Sequence, residues 1–237
     1  PRSSSAASDV YKRQIMEMSL EDICARNVGG KRVYEVGDQR YPSISTICSF
    51  RNRKSIAEWR ARVGAEEANK ISKRATTAGT TVHSMIEDYL NNELDIGKYA
   101  DKHLAKILFT QAKQMLARIN NIHFQEAPLY SHEFAIAGRV DCIAEFDGKL
   151  SIIDFKTSSK EKKEEWVEGY FVQETGYAKM YEERSGIKVE QIVTLITCQT
   201  GDTQVFIKNP DDYVPLLKDY IAEYNDCLLY TSPSPRD

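Results

Sequence analysis

Two charged side chains close a run that is otherwise almost wholly apolar. Leu150 to Phe155 has the composition of a strand buried on both faces, and Asp154 and Lys156 stand at its end. A charge inside such a strand is costly unless it is paired or bound to a metal. Two residues apart, both side chains leave the same face of a sheet. Asp141, on the preceding strand, offers a second carboxylate. Two strand carboxylates converging with a lysine make a divalent-metal site with an adjacent cation. The competing reading is a surface Asp–Lys pair with Asp141 in a turn, and for D-x-K alone that reading is preferable.

The frame for these residues is Gly138 to Lys156, GRVDCIAEFDGKLSIIDFK, which reads as two strands. Val140, Cys142, Ala144 and Phe146 alternate with more polar partners, and Asp147-Gly148 supplies the turn. Leu129 to Ile136 leads into this hairpin, with Glu133 as an extra acid near the site. Upstream, Thr76 to Asn91 carries Val82, Ile86, Tyr89 and Leu90 as one apolar stripe at helical spacing. His83 and Glu87, four apart, share a neighbouring face. A lone histidine beside a core stripe is more often a packing residue than a ligand. Gly79 costs this helix roughly 1 kcal/mol relative to alanine, which points to close approach of a backbone or ligand. After Lys156, Thr157-Ser158-Ser159 ends the strand. Glu164 to Glu183 then reads as a helix whose Trp166, Tyr170, Gln173 and Tyr177 form a half-aromatic inward stripe.

The remaining elements complete an α/β architecture. Ile15 to Asn27 is expected as a short helix and Arg32 to Ser45 as a hairpin turning at Gly37-Asp38. The hydroxyls of Pro42-Ser43-Ile44-Ser45-Thr46 suit a helix cap or a phosphate, with capping favoured. One helix starts at Ser55 and stops at Gly64, and another begins near Glu66. Asp101 to Asn121 reads as an amphipathic helix with Leu104, Ile107, Leu108, Ala112, Met115, Leu116 and Ile119 inward. Val189 to Cys198 and Thr203 to Lys208 are strands joined at Gly201-Asp202, and Tyr213 to Tyr224 is a closing helix. His103, His123 and His132 show no ligand spacing. The expectation is a central mixed sheet, αβββαβ in core order, flanked by helices, plus an N-terminal helical region.

Both ends look foreign to this frame. Residues 4–14 and 227–237 can be encoded by DNA containing AGATGTGTATAAGAGACA and its reverse complement TGTCTCTTATACACATCT, as translated library adapters would be. Residues 1–14 and 227–237 are therefore set aside as tails. Residues 15–125 are expected to form an N-terminal hairpin and helical region, and residues 126–226 the core. The chain has 32 Lys+Arg and 35 Asp+Glu; without Arg2, Lys12, Arg13, Arg236, Asp9 and Asp237, 28 and 33 remain, a net charge of −5. Arg51 to Arg74 is the locally basic stretch, with eight cations against three carboxylates. Such helices are usually solvated faces, yet in an acidic chain they are the best candidate path for nucleic acid. Cys24, Cys48, Cys142 and Cys198 form no C-x-x-C pair, which argues against zinc or iron–sulfur ligation and suits a reducing, cytoplasmic setting. No apolar run approaches membrane-spanning length.

G-x-x-x-H at Gly79 and His83, G-x-x-D at Gly138 and Asp141, Asp154-Phe155-Lys156 and Gln173-x-x-x-Tyr177 occur in that order. The series resembles the RecB-like branch of the PD-(D/E)xK nuclease superfamily. VDCIAEFDGKLSIIDFKTS is similar to the mitochondrial genome maintenance exonuclease family and its phage-encoded relatives. The resemblance implies a restriction-endonuclease-like core and an exonuclease that degrades single-stranded DNA from a free end. It implies catalytic Asp141, Asp154 and Lys156, and Mg²⁺ or Mn²⁺ held by His83, Asp141, Asp154 and the Phe155 carbonyl. Gln173 and Tyr177 would contact DNA, and Arg60, Arg62, Lys73 and Arg74 would guide the strand. Glu87, Glu133 and Thr157 are candidates for supporting the metal site. A structure- or sequence-specific endonuclease and a non-catalytic nucleic-acid-binding module are the alternatives. The scattered cysteines set the chain apart from the iron–sulfur branch.

Overall fold

A five-stranded mixed sheet carries the hairpin read from the sequence. The computed structural model describes residues 13–16, 20 and 23–231, without the side chains of residues 31 and 228–231. The sheet runs β4 (Ile119–Ser131), β5 (Ile136–Phe146), β6 (Lys149–Ser158), β7 (Gln191–Cys198) and β8 (Gln204–Lys208), neighbours in that order. Only β6 and β7 pair parallel, because α5 (Glu168–Ser185) makes the crossover between them. Together with α4 (His103–Leu116), these elements realise the expected αβββαβ order. In β6, Ser151 to Phe155 are all buried. Ile152 and Ile153 feed opposite layers, one with α1 (Ile44–Arg51), α5 and α6 (Val214–Thr231), the other with α3 (Ala65–Leu90) and α4.

The N-terminal region is less helical than expected. Cys24–Val28 is strand β1, paired with β2 (Lys31–Val36) and, through β2, with β3 (Gln39–Pro42). Gly29 and Gly30, at φ 57° and 79°, make the two-residue turn that pairs Val28 with Lys31. Ser43 precedes α1, but its hydroxyl meets Ser45 Oγ at 2.8 Å and caps no backbone N–H. Gly64 (φ 86°) separates α2 (Arg53–Val63) from α3 as expected. Helix α3 then runs unbroken for 26 residues, through Gly79.

Three other boundaries move. Helix α4 stops at Leu116, so Ile119 opens a strand, and Ile107 is exposed rather than inward. Trp166 ends a 3₁₀ turn ahead of α5, which rotates it off the inward stripe and leaves it 63% exposed. The assigned tails overlap the fold. The Arg13 guanidinium donates to Leu116 O at 3.1 Å and lies over the Tyr89 ring, and α6 extends past Asp226. Residues 1–12 and 232–237 lie outside the described residues.

Candidate metal centre

Strands β4 and β5 set two carboxylates face to face. Their register pairs Gln125 with Cys142 and Ala127 with Val140, which leaves Glu126 opposite Asp141. Glu126 sits at φ 48°, just past an irregularity in the ladder between Asn120 and Phe124. Bulges of this kind re-aim side chains near sites. Like charges directly opposite are destabilising unless something neutralises them. Burial, followed by the Asp141 charge, pushes the Glu126 carboxyl above its ordinary range. His83 reaches the same point from α3, and one ligand atom from each of His83, Glu126 and Asp141 lies within 4.8 Å of the others.

The backbone of Phe155 ties this cluster to β6. The regular β5–β6 ladder stops at Cys142 and Ile153, and side chains take over beyond it. Phe155 N donates to Asp141 Oδ2 at 2.9 Å, and His83 Nε2 lies 2.7 Å from Phe155 O. A carbonyl only accepts, so Nε2 is the donor in this contact, and Nδ1 lies 3.7 Å from Asp141 Oδ2. The Phe155 carbonyl, expected as a metal ligand, is the acceptor for His83 in this arrangement.

Asp154 faces the other helix layer. It is 1% exposed and ion-paired with Lys156, as the D-x-K spacing requires. Burial pushes its carboxyl up to about 6; Lys156 opposes this and Asp141 adds to it. Burial alone would lower Lys156, but Asp154 and Asp141 together hold the ammonium above its usual range. The two shifts agree on one order of events: on acidification the first proton goes to Asp154, while Lys156 stays charged between two carboxylates. Gln173 Nε2 reaches Asp154 Oδ1 at 3.5 Å and Tyr177 Oη at 3.4 Å. Tyr177, expected on the DNA, is 2% exposed and orients Gln173 from within. A Cβ on Gly138 would come within 2.7 Å of Tyr177 Cε1, so the glycine of G-x-x-D makes room for that ring. Glu174, which no sequence signal marked, is fully buried with one oxygen bonded to Thr194 Oγ1. Burial first, then the Asp154 charge, raise its carboxyl well above the ordinary value.

A cavity of about 930 Å³ opens onto the cluster, lined by Gly79, His83, Glu87 and Glu126. Arg26, Arg32 and Arg139, which the sequence reading missed, also line it, Arg26 paired with Glu35 at 2.9 Å. Arg26 and Arg32 come from the meander that was expected in part as a helix, and the Arg139 guanidinium donates to Glu126 O. Gly79 crosses the end of β6, where an added Cβ would lie 3.4 Å from Thr157 Oγ1. Among the four expected strand guides, Arg74 lines a smaller hollow with Thr157, Ser158 and Ser159. Arg60 is bonded to Asn69 at 2.7 Å, and Arg62 and Lys73 stand exposed on α2 and α3. Glu133 lines a different hollow with Phe134 and Lys218 and does not join the cluster; Glu126 takes the place proposed for it.

The donor set fits a hard divalent ion: an imidazole nitrogen and carboxylate oxygens, two of them forced together. Asp154 Oδ2 lies against Lys156 as an ion partner, beside the cluster rather than within it.

Mitochondrial genome maintenance exonuclease 1 of Homo sapiens is 26% identical over 130 residues, covering 51% of this chain and 38% of that protein. Its Xenopus tropicalis counterpart is 30% identical over 111 residues, covering 45% and 32%. The chain thus matches about a third of the length of these relatives. A solved structure from Eubacterium rectale, described as a candidate exonuclease, aligns over 65% of this chain and 66% of its own at 15% identity, with a TM-score of 0.43. The family model of the PD-(D/E)XK nuclease superfamily matches residues 51–224, a span that holds His83, Glu126, Asp141, Asp154, Lys156 and Gln173, and the chain belongs to that superfamily.

Proposed function

We propose that this protein is a metal-dependent deoxyribonuclease that hydrolyses phosphodiester bonds from the ends of single-stranded DNA. The observation that carries the reading is the His83–Glu126–Asp141 cluster beside the Asp154–Lys156 pair. Mg²⁺ or Mn²⁺ bound there would polarise the scissile phosphate and acidify the attacking water. Lys156, held charged by Asp154 and Asp141, balances the charge that develops on the phosphate. Gln173, fixed by Tyr177, keeps Asp154 aligned from the opposite side. Arg26, Arg32 and Arg139 give the strand a local cationic wall in a chain whose overall charge repels DNA. Arg74, with Arg60, Arg62 and Lys73 farther out on α2 and α3, continues that field on the other side of α3.

Linear and circular single-stranded DNA, each with Mg²⁺ and with EDTA, test the proposal. Loss of the linear form alone, and only with metal, is expected. Cutting of circles would replace the exonuclease with an endonuclease, and metal-independent cutting would remove the central claim.

A further inference from the structure

A second hollow, of about 290 Å³, opens on the α5 side of the catalytic pair. Its walls include Trp166, Tyr170 and Gln173 from the α5 end and Ser45, Ser49 and Asn52 from α1 and its C-terminal end. Two of these residues touch the reacting groups: Gln173 Nε2 reaches Asp154 Oδ1, and the Tyr170 ring lies 5.2 Å from Lys156 Nζ. The hollow therefore adjoins the Asp154–Lys156 pair.

Its chemistry selects the occupant. Trp166 is the most exposed large hydrophobic side chain of the described residues, where core packing was expected. It belongs to no core cluster. Glu165 and Glu168 also line the hollow, which disfavours a phosphate inside it. Cys48 in the floor is held neutral by burial. The volume falls near the roughly 300 Å³ at which small-ligand sites begin, room for one planar group and not for a folded strand. Lys163 Nζ stands 5.3 Å from the Trp166 ring on an exposed side chain, and stacking needs only one face.

We propose that this hollow receives one unpaired nucleobase of the DNA strand, stacked on Trp166, next to the phosphate being cut. The assignment rests on the nuclease reading and deepens it, since a base can enter only where it is not paired. Stacking on an aromatic face tolerates every base, so the pocket grips single strands without reading sequence.

The chain has two tryptophans, Trp59 and Trp166, so Trp59→Phe leaves Trp166 as the sole tryptophan reporter. In EDTA, to prevent cleavage, this protein is titrated with oligothymidylate and with an abasic strand of equal length. Oligothymidylate is expected to quench the emission and the abasic strand is not. Trp166→Ala should weaken oligothymidylate binding about 5- to 150-fold and leave abasic binding unchanged. Trp166→Phe should restore most of the loss. Equal binding and equal quenching by both strands, or no effect of Trp166→Ala, would overturn the base pocket while leaving the nuclease reading intact. Failure of the parent protein to bind either strand would overturn both.

Discussion

Asp154→Asn is the substitution whose effect can be worked out furthest. The Asp154 carboxyl ionises near 3.8 in the unfolded chain and at about 6 in the folded one, because burial outweighs the help of Lys156. Below about pH 4 the group is neutral in both states and costs nothing. Between about pH 4 and 6 the unfolded chain ionises this carboxyl freely while the folded chain still holds it protonated in a dry wall, so stability falls across that window and levels off above it. Two pKa units correspond to about 3 kcal/mol, so wild-type stability should fall by about that much relative to the Asn variant between roughly pH 4 and 7.5. In this size range that is about 6–12 °C of melting temperature. Asparagine keeps the contact with Gln173, and Lys156 keeps Asp141. The variant should therefore be folded and inactive, its stability at neutral pH set by relief of the Asp154 desolvation against the loss of one partner of Lys156. Urea unfolding of both proteins in EDTA across that pH range measures the difference directly. A gap that stays flat with pH would refute the account of Asp154 as a carboxylate held ionised against its environment.

Other outcomes follow from the same geometry. Glu126→Gln should stabilise the metal-free protein by roughly 0.2–1 kcal/mol, by removing a like-charge pair, and weaken Mn²⁺ binding at least tenfold by calorimetry. Gly138→Ala should cost about 1–3 kcal/mol in urea unfolding, because its Cβ meets Tyr177 and Ile44. Replacing Arg26, Arg32 and Arg139 with serine should reduce the salt slope of single-strand binding by roughly 0.7 for each lost phosphate contact. An unchanged slope would remove these arginines from the strand path. Reversing Arg60, Arg62, Lys73 and Arg74 to glutamate should flatten the same slope by less, since only Arg74 lines a hollow beside β6.

What the sequence revealed and what it concealed divide along a physical line. Asp154 and Lys156 were legible because the twofold strand period fixes their common face. His83 and Gly79 were legible because a helix places them on the side that meets β6. Glu126 was not, since its position depends on a left-handed residue and on pairing with a strand farther along the chain. The mistaken start of that strand near Leu129 hid it further, although Ile122 and Phe124 already alternate ahead of it. Arg26 was lost when Ile15 to Asn27 was read as helix, with the Gly29-Gly30 turn as the neglected signal, and Arg32, read in a hairpin, was given no role because nothing tied that hairpin to the site. Trp166 fitted a helical stripe by arithmetic, but the helix begins two residues later.

The unbroken course of α3 has a mechanical consequence. Its last third is gripped by the core through Val82, Met85, Ile86 and Leu90, whereas residues 69–77 are exposed. A rise of about 1.5 Å per residue makes Ala65 to Val82 an overhanging beam of roughly 25 Å. Gly79, the most easily flexed residue of the helix, lies near the support, and His83 lies just inside the clamp. A sideways load on the tip bends the beam where it is weakest, with a long arm outside and a short one within. A small tilt at His83 thus corresponds to a large sweep at Glu66, so the outer part of α3 can swing while the cluster barely moves.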